Sequence, residues 1–312
     1  MFCIIAFVIL SILGIFSATH RALAKEALDC VLRRVTFRPC TTGFDEKMKA
    51  KILGAVIMRS EKLAGFISKY FEALAWFFFI LLLSATIFTF RGLFLFYTTG
   101  SCNGLNQEAF CVFDPTGANN QVSTTTQGCK VKPPTLADLT LKGVDLTGFP
   151  VLNPTAKEKI VFIGCYACDY TRKAYPMITK LADRFNVGMV FLHYPVKEKT
   201  DHTSQVGYCA YQQNQDKFWK LNDVLFSTAK TNLESDAFIQ TTLTNLGYDA
   251  AKINVCVNDP ATEVTVRKQM AEIQKTNFFG TPTIFIKDHV FVGPKPFRVY
   301  AIGLEGLLYF LH

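Results

Sequence analysis

The sequence predicts an α/β domain that follows a hairpin of two transmembrane helices, and three observations support this prediction. A short apolar run, Ile160–Ile163, precedes the pair Cys165-Tyr166-Ala167-Cys168 and a segment of helical character, residues 169–185. A second buried strand is indicated after Gly280-Thr281-Pro282. Two long apolar runs lie in the first hundred residues of the 312-residue chain.

The first apolar run, residues 2–18, has about 17 residues, which is the lower limit for a helix that spans a bilayer. Ala22-Leu23-Ala24 has the small-x-small form of a signal-peptidase site, so a cleaved signal peptide is the alternative. No lysine or arginine precedes the run, however, and Arg21 lies inside the cleavage region. We therefore expect an uncleaved helix over residues 1–18. Cleavage would allow the second run to place the cysteine pair inside the cell, which would favour a reductase.

The second apolar run, residues 73–90, continues past Arg91 to Tyr97 and predicts a transmembrane helix over residues 73–97. An arginine near the end of such a helix can extend its charge to the lipid headgroups. A soluble core helix is rarely apolar on all faces over this length. The two runs explain why 50% of the residues are hydrophobic and why the mean hydropathy is positive.

The charge distribution orients this hairpin. Residues 19–72 carry eleven Lys or Arg side chains and six acidic ones, and loops rich in Lys and Arg stay on the cytoplasmic side. We therefore expect the amino terminus outside, a basic helical loop over residues 19–72 inside, and the rest of the chain outside. Basic and acidic residues nearly balance after residue 92, so the net charge of +8 follows from membrane topology and needs no nucleic-acid partner.

Residues 98–134, rich in Gly, Asn and Thr, are predicted to form an extracytoplasmic linker, and residues 114–135 read as its flexible part. It carries Cys102, Cys111 and Cys129, and one structural disulfide among the three is expected in an oxidising compartment. Cys102 and Cys111 would close the shortest loop, although spacing alone does not determine the pairing.

Three further cysteines lie in the membrane part of the chain. Cys30 and Cys40 fall in the predicted cytoplasmic loop, where a reducing compartment would keep them as thiols. Two cysteines with no nearby histidine are too few for a zinc site within one chain. Cys3, inside the first apolar run, is expected to face lipid.

The Cys-x-x-Cys pair at residues 165–168 predicts redox chemistry. Two thiols at this spacing can close a disulfide and reopen it, and the positive end of the following helix stabilises a thiolate on the first sulfur. The thiolate is the attacking species in thiol–disulfide exchange, so Cys165 is the candidate nucleophile and Cys168 the resolving thiol. Zinc sites use the same spacing, but the sequence has no second such pair to complete one. We expect no metal and no cofactor beyond the Cys165–Cys168 disulfide.

A turn that enters a buried strand is indicated by Gly280-Thr281-Pro282 and the residues that follow, Thr283–Ile286. Proline cannot donate a hydrogen bond to a sheet, so Pro282 belongs at the start of the strand. Bonds that precede proline are also the only common cis peptides. A plain turn proline is the alternative.

Together these motifs resemble the thioredoxin fold, and the segment between them narrows the resemblance. Residues 201–277 are mostly helical in pattern. The block Phe191–Val196 precedes this segment, and the blocks Gly207–Tyr211 and Lys217–Phe226 fall within it. This arrangement resembles the DsbA-type thiol oxidoreductases, which carry a helical insertion, and especially their membrane-tethered forms. The resemblance covers about residues 135–312.

The resemblance implies further site residues. In that family a loop with a cis-proline faces the active-site disulfide and pairs with the substrate backbone. The residues of this chain that correspond to that loop are Thr281 and Pro282. Related domains often carry cysteines at the positions of Cys209 and Cys256, so a structural disulfide is expected there. Two buried thiols acting as small apolar groups are the alternative.

The chain departs from the family pattern at two positions that modulate the redox potential. DsbA has a histidine before its second catalytic cysteine, whereas this chain has Ala167, and Tyr166 offers only a hydroxyl. Many relatives have an acidic residue where this chain has Lys159. A cationic Lys159 near the sulfurs would favour the thiolate, but it can instead face solvent at the start of the strand.

The predicted elements of the domain are four strands and two helices around the insertion. They are strand Lys159–Ile163, helix Asp169–Phe185, strand Val187–His193, strand Thr283–Ile286, strand His289–Val292 and a carboxy-terminal helix from about Phe297 to Leu311.

These observations predict a membrane-anchored thiol oxidase that introduces disulfides into secreted or cell-envelope proteins. Its expected partners are unfolded or reduced secreted proteins, membrane lipid and a separate membrane quinone reductase, DsbB-like or vitamin K epoxide reductase-like, because two spans are too few to contain one. The alternatives are a reductase or isomerase of the same fold, and a non-catalytic thioredoxin-like binding module whose cysteine pair is structural.

Overall fold

The computed structural model describes residues 2–36, 38, 43–58, 60–124, 135–196 and 201–311. The chain divides into two compact units, residues 1–91 and residues 92–312. Cys40 and Cys129 lie outside the described residues, so the expectations for them are not addressed.

The first unit contains short helices. They are α1 (Phe2–Phe16), α2 (Ala18–Val35), α3 (Phe44–Ile57) and α4 (Glu61–Lys69), and α5 (Phe71–Thr99) then leads into the second unit. Helices α1 and α2 meet along small and apolar side chains that are buried between them: Cys3, Ala6, Leu10, Ala24, Ala27 and Cys30. Small side chains of this kind allow two helices to approach closely.

Two expectations for the first unit are wrong. Cys3 is buried against α2, where its sulfur lies 2.7 Å from the sulfur of Cys30, so it does not face lipid. Cys30 is disulfide-bonded and is therefore not the thiol that a reducing compartment would keep.

Within the described part of the chain, α5 alone is long and apolar enough to cross a membrane. It has 29 residues, none of them buried, and spans roughly 44 Å at the α-helical rise, more than the bilayer core. Helix α1 has 15 residues and spans only about 22 Å, and it packs along the charged helix α2. The structure therefore does not confirm the expected two-helix transmembrane hairpin.

A five-stranded mixed sheet forms the centre of the second unit, in the order β2-β4-β3-β6-β7. The strands are β2 (Val151–Leu152), β3 (Lys159–Gly164), β4 (Gly188–His193), β6 (Thr283–Ile286) and β7 (His289–Val292). The pair β3–β4 is parallel and the other pairs are antiparallel. The central strand β3 is buried from Ile160 to Gly164 because the sheet is covered on both faces.

Helices cover this sheet. Helix α6 (Asp169–Phe185) connects β3 to β4, and α12 (Phe297–Glu305) follows β7. The insertion between β4 and β6 consists of α7 (Asp201–Gln213), α8 (Gln215–Ser227), α9 (Asp236–Asn245), α10 (Ala250–Val257) and α11 (Pro260–Gln274). Alternate residues of β3 point to opposite faces: Phe162 belongs to the core under α6, and Ile163 belongs to a second core on the other face.

The predicted strands and α6 are confirmed to within a residue, but the carboxy-terminal helix ends earlier than expected. It stops at Glu305, because Gly306 has a φ of 82° and turns the chain out of the helix. A short 3-10 turn, Tyr309–Leu311, follows.

The expected linker is folded where it is described. A disulfide joins Cys102 to Cys111, and Asn106 Nδ2 donates to the carbonyl oxygen of Val290 at 2.7 Å. Two further residues of this segment, Ser123–Thr124, form strand β1, which pairs with β5 (Gly280–Thr281). Residues 98–124 are therefore part of the second unit, because amide side chains and strand pairing fasten them to it, while the disulfide closes a loop within the segment.

Candidate active site

The two cysteines lie at the junction of a buried strand and a helix. Strand β3 ends at Gly164 and α6 begins at Asp169, so residues 165–168 form the connecting turn. This turn is closed by a hydrogen bond of 3.1 Å from the Cys168 amide to the Cys165 carbonyl oxygen. Both cysteines are buried thiols.

The sulfur of Cys168 lies among polar groups from three parts of the chain. It accepts a hydrogen bond from the Thr171 amide at 3.4 Å and lies 3.1 Å from Ser123 Oγ and 3.3 Å from the carbonyl oxygen of Thr281. Burial raises the pKa of the Cys168 thiol, but hydrogen bonds with Ser123, Thr171 and Thr281 outweigh burial and leave that pKa below its ordinary value. The Cys168 thiolate is thus a stabilised species.

The second sulfur of the motif caps the start of α6. Cys168 is the N-cap residue, and its sulfur accepts the hydrogen bond at the amino end of the helix. The main-chain amide of Cys165 instead donates to Thr171 Oγ1 at 3.4 Å. The turn thus places the fourth residue of the motif at the helix end, and stabilisation of a Cys165 thiolate by the positive end of the helix stays a prediction.

Arg172 is a site residue that the sequence reasoning missed. Its Nε donates to the carbonyl oxygen of Tyr166 at 2.5 Å, Nη2 donates to the Leu225 carbonyl oxygen at 3.3 Å, and Nη1 donates to the carbonyl oxygen of Thr228. Burial lowers the pKa of Arg172, while the charges of Asp169 and Cys165 raise it. The guanidinium is thus close enough for its charge to interact with that of Cys165. Its position one turn after Cys168 on the predicted helix was the available signal.

Tyr166 supports the turn from within the core. Its hydroxyl donates to Asn222 Oδ1 at 2.6 Å, and its ring stacks on His193 with 4.4 Å between centroids. Burial raises the pKa of Tyr166 well above its ordinary value, so the hydroxyl stays protonated. His193 is held by Ser204 Oγ at 2.7 Å from Nδ1, and burial lowers its pKa to about 3. An uncharged histidine therefore lies under the motif.

The two remaining modulating positions have little direct influence. Ala167 is partly buried and offers the sulfurs no polar side-chain group. Lys159 is exposed at the start of β3, the end of that strand opposite to Cys165. The structure thus supports the solvent-facing alternative for Lys159, because the length of β3 separates it from the sulfurs.

The proline loop lies beside the cysteines. The Thr281–Pro282 peptide bond is cis, and Thr281 is buried with its carbonyl oxygen near the Cys168 sulfur. In the insertion, a disulfide joins Cys209 of α7 to Cys256 of α10. The described ranges contain no group of three or more His, Cys, Asp or Glu side chains arranged to hold a metal ion.

The chain was compared with known proteins. The profile of the DSBA-like thioredoxin domain matches residues 141–302. No curated protein sequence matches. A thioredoxin-like oxidoreductase from Silicibacter pomeroyi is 21% identical, with a TM-score of 0.45, over 55% of this chain and 95% of that one. The thiol-disulfide exchange protein alpha-DsbA2 from Wolbachia pipientis is 20% identical, with a TM-score of 0.45, over 49% of this chain and 84% of that one. Oxidised BdbD from Bacillus subtilis is 22% identical, with a TM-score of 0.42, over 50% of this chain and 89% of that one.

Proposed function

Because the chain belongs to the DSBA-like thioredoxin family, a family of thiol–disulfide oxidoreductases, we propose that it is a membrane-anchored thiol oxidase. Its clients would be secreted or cell-envelope proteins that acquire disulfides. The observation that carries the proposal is the placement of Cys165 and Cys168 between β3 and α6, with the cis Thr281–Pro282 bond beside them.

The first chemical step is attack by a client thiolate on Cys165 of the Cys165–Cys168 disulfide. The bond between the two enzyme sulfurs breaks, a bond between the client sulfur and Cys165 forms, and Cys168 leaves as a thiolate. Thiols of lower pKa leave faster. The hydrogen bonds from Ser123 and Thr171 that lower the pKa of Cys168 therefore favour this step.

In the second step a second client thiolate attacks the client sulfur of the mixed disulfide. The client disulfide forms, and Cys165 is released as a thiolate whose charge interacts with that of the Arg172 guanidinium. The enzyme is left reduced by two electrons. A separate membrane quinone reductase, DsbB-like or vitamin K epoxide reductase-like, would accept those electrons, and Thr281 and Pro282 would pair with the client backbone.

Helix α5 is the proposed anchor. The segment before it carries the excess of Lys and Arg, which favours the cytoplasmic side, where the disulfide of Cys30 would be open to reduction. A single span at residues 71–99 then places residues 100–312 outside, the same side that the two-span prediction gave. The disulfides Cys102–Cys111 and Cys209–Cys256 fit an oxidising compartment.

The redox potential tests the direction of the reaction. The full chain in detergent would be equilibrated with glutathione buffers, and reduced Cys165 would be quantified by alkylation and mass spectrometry. A potential near that of DsbA, roughly −120 mV, supports an oxidase. A potential near that of thioredoxin, roughly −270 mV, would overturn the oxidase assignment and indicate a reductase.

Trapping tests the roles of the two cysteines. Cys168→Ser should accumulate mixed disulfides when it is offered an oxidised client. The Cys165 thiolate attacks the client disulfide, the other client sulfur leaves as a thiolate, and no Cys168 thiol remains to displace the client from Cys165. Cys165→Ser should accumulate none. The reverse pattern would make Cys168 the nucleophile. Absence of mixed disulfides in both variants, with client binding intact, would favour the non-catalytic binding module.

A further inference from the structure

A short segment of the chain lies directly on the cysteine pair. We call residues Asn119–Thr124 the strap. Its last two residues, Ser123–Thr124, pair antiparallel with Gly280–Thr281, so that Ser123 is opposite Thr281. Ser123 Oγ also lies 3.1 Å from the sulfur of Cys168. The strap therefore occupies the main-chain edge beside the sulfurs.

The surface beneath the strap has the shape that such close contact requires. A Cβ atom added to Gly280 would lie 2.6 Å from Val122 Cγ2, and one added to Gly293 would lie 2.6 Å from the carbonyl carbon of Asn120. Gly293 also has a φ of 81°, which side chains other than glycine rarely adopt. Two glycines thus leave room for the strap where it crosses.

Polar contacts fasten the beginning of the strap. The buried Lys295 donates through Nζ to the Asn119 carbonyl oxygen at 2.7 Å and to Asn120 Oδ1. Asn119 Nδ2 donates to the carbonyl oxygen of Gly100 at 2.9 Å, and Asn120 Nδ2 donates to that of Gln107 at 2.6 Å. These contacts are made by side chains of the strap and by one buried lysine, so they hold the strap in a defined position on the domain.

We propose that the strap is an intramolecular occupant of the client edge, so that a client peptide and the strap exclude each other. The inference rests on the proposed function. An extended peptide binds a sheet edge through its main-chain amides and carbonyls, and β1 already uses those of Gly280–Thr281. Cys165 and Cys168 are both fully buried, so a client thiolate reaches Cys165 only after local opening. Ser123 lies against the Cys168 sulfur, so the docked strap covers the sulfur that leaves when a client attacks Cys165.

The consequence is a gate on disulfide exchange. Only molecules with the strap undocked bind a client, so the observed exchange rate is the intrinsic rate multiplied by the undocked fraction. Any change that weakens strap docking should then speed both access to the sulfurs and exchange, without altering the cysteines themselves.

A crosslinking experiment tests the position of the strap without requiring catalysis. Ser123→Cys would be made in the full chain together with Cys165→Ser, and diamide would be added to oxidise neighbouring thiols. The introduced thiol and Cys168 each lose a proton and an electron to diamide, which becomes the hydrazine, and a disulfide joins them. We expect most molecules to carry this disulfide when peptides are mapped by mass spectrometry.

The matched control is Thr124→Cys in the same Cys165→Ser chain. Thr124 is the next residue and is exposed, whereas Ser123 is buried, because neighbouring side chains of a strand point to opposite faces. The Thr124→Cys variant should therefore form little disulfide with Cys168. Equal crosslinking from both positions, or none from Ser123→Cys, would overturn the placement of the strap.

A second experiment tests the gate. Asn120→Ala removes the contacts with Lys295 and Gln107, and Asn258→Ala, which removes only local contacts with Asn254 at the end of α10, is the control. N-ethylmaleimide should alkylate reduced Cys165 and Cys168 roughly tenfold faster or more in Asn120→Ala than in the wild type, since two ordinary hydrogen bonds correspond to such a factor. Exchange with a synthetic extended peptide that carries two cysteines should accelerate in parallel.

The two readouts separate the strap from the proposed function. Faster alkylation with no exchange in any variant would leave the strap inference standing and refute the oxidoreductase function for this peptide class. If the wild type carries out exchange, and Asn120→Ala changes neither the alkylation rate nor the exchange rate, the function is supported and the gate is overturned.

Discussion

Arg172 Nε donates to the carbonyl oxygen of Tyr166 at 2.5 Å, so a side chain of α6 holds the turn between the two cysteines. The same guanidinium reaches two carbonyl oxygens of the insertion, those of Leu225 and Thr228. It therefore connects the cysteine turn to the end of α8 while placing a positive charge close enough to interact with that of Cys165.

Arg172→Met should slow alkylation of reduced Cys165 at pH 7, because a positive charge that interacts with the charge of Cys165 is lost. It should also lower the free energy of unfolding by about 2 kcal/mol, since buried carbonyl oxygens lose their donor. Iodoacetamide kinetics and urea unfolding measure the two effects.

Arg172→Lys separates charge from geometry. Lysine retains the positive charge but cannot reproduce the planar fork, so this variant should retain much of the alkylation rate and lose stability almost as Arg172→Met does. Equal alkylation rates in both variants would show that the charge does not act on Cys165.

Removal of the insertion disulfide should destabilise the domain. Cys209 and Cys256 are 47 residues apart in sequence, and a loop of that size corresponds to roughly 4 kcal/mol in the chain-entropy account. We expect Cys209→Ala with Cys256→Ala to lower the free energy of unfolding by about 2–4 kcal/mol in urea titrations. Cys102→Ala with Cys111→Ala, across a separation of 9 residues, should cost less, and the opposite order would contradict the argument.

His193 should make stability depend on acid pH. Burial lowers its pKa to about 3 from an ordinary value of 6.5, so between these pH values the unfolded chain binds the proton and the native chain does not. The free energy of unfolding should therefore fall as pH decreases from 6.5 toward 3. Urea unfolding at pH 7 and pH 4.5 measures it, and His193→Gln should show a smaller fall than the wild type, because carboxylates titrate equally in both.

Lys295 should make stability depend on pH in the alkaline range. Burial lowers the pKa of Lys295 to about 7 from 10.5, so above pH 7 the native lysine is neutral while the unfolded one is charged. The unfolded chain then binds more protons, and the free energy of unfolding should rise from pH 7 to pH 9 by roughly 1 kcal/mol or more. Lys295→Met should flatten this rise. A rise of equal size in both proteins would assign the effect to other groups.

Local patterns accounted for much of the fold. The apolar run before Cys165, the helical segment after Cys168 and the strand after Pro282 were predicted to within a residue, because strand and helix preferences depend on neighbouring side chains. The carboxy-terminal helix was predicted too long, since its apolar composition masked the break at Gly306.

The amino-terminal unit was less predictable. The length of the apolar run at residues 2–18 placed it at the limit for a span, and only the packing of α1 on α2 shows where its small residues lie. Helix α5 could be recognised from composition because no face of it is polar over its central turns.

The sequence by itself determined the secondary structure around the cysteine pair, the choice of Cys165 and Cys168 as candidate reactive thiols, and the proline beside them, since each depends on a few adjacent residues. Tertiary structure alone decided which groups surround those sulfurs. Ser123 is 45 residues and Thr281 is 113 residues from Cys168 in the chain, and Lys159, close in sequence, is far along the strand. Such neighbours arise when distant segments bury surface together, which no local pattern records.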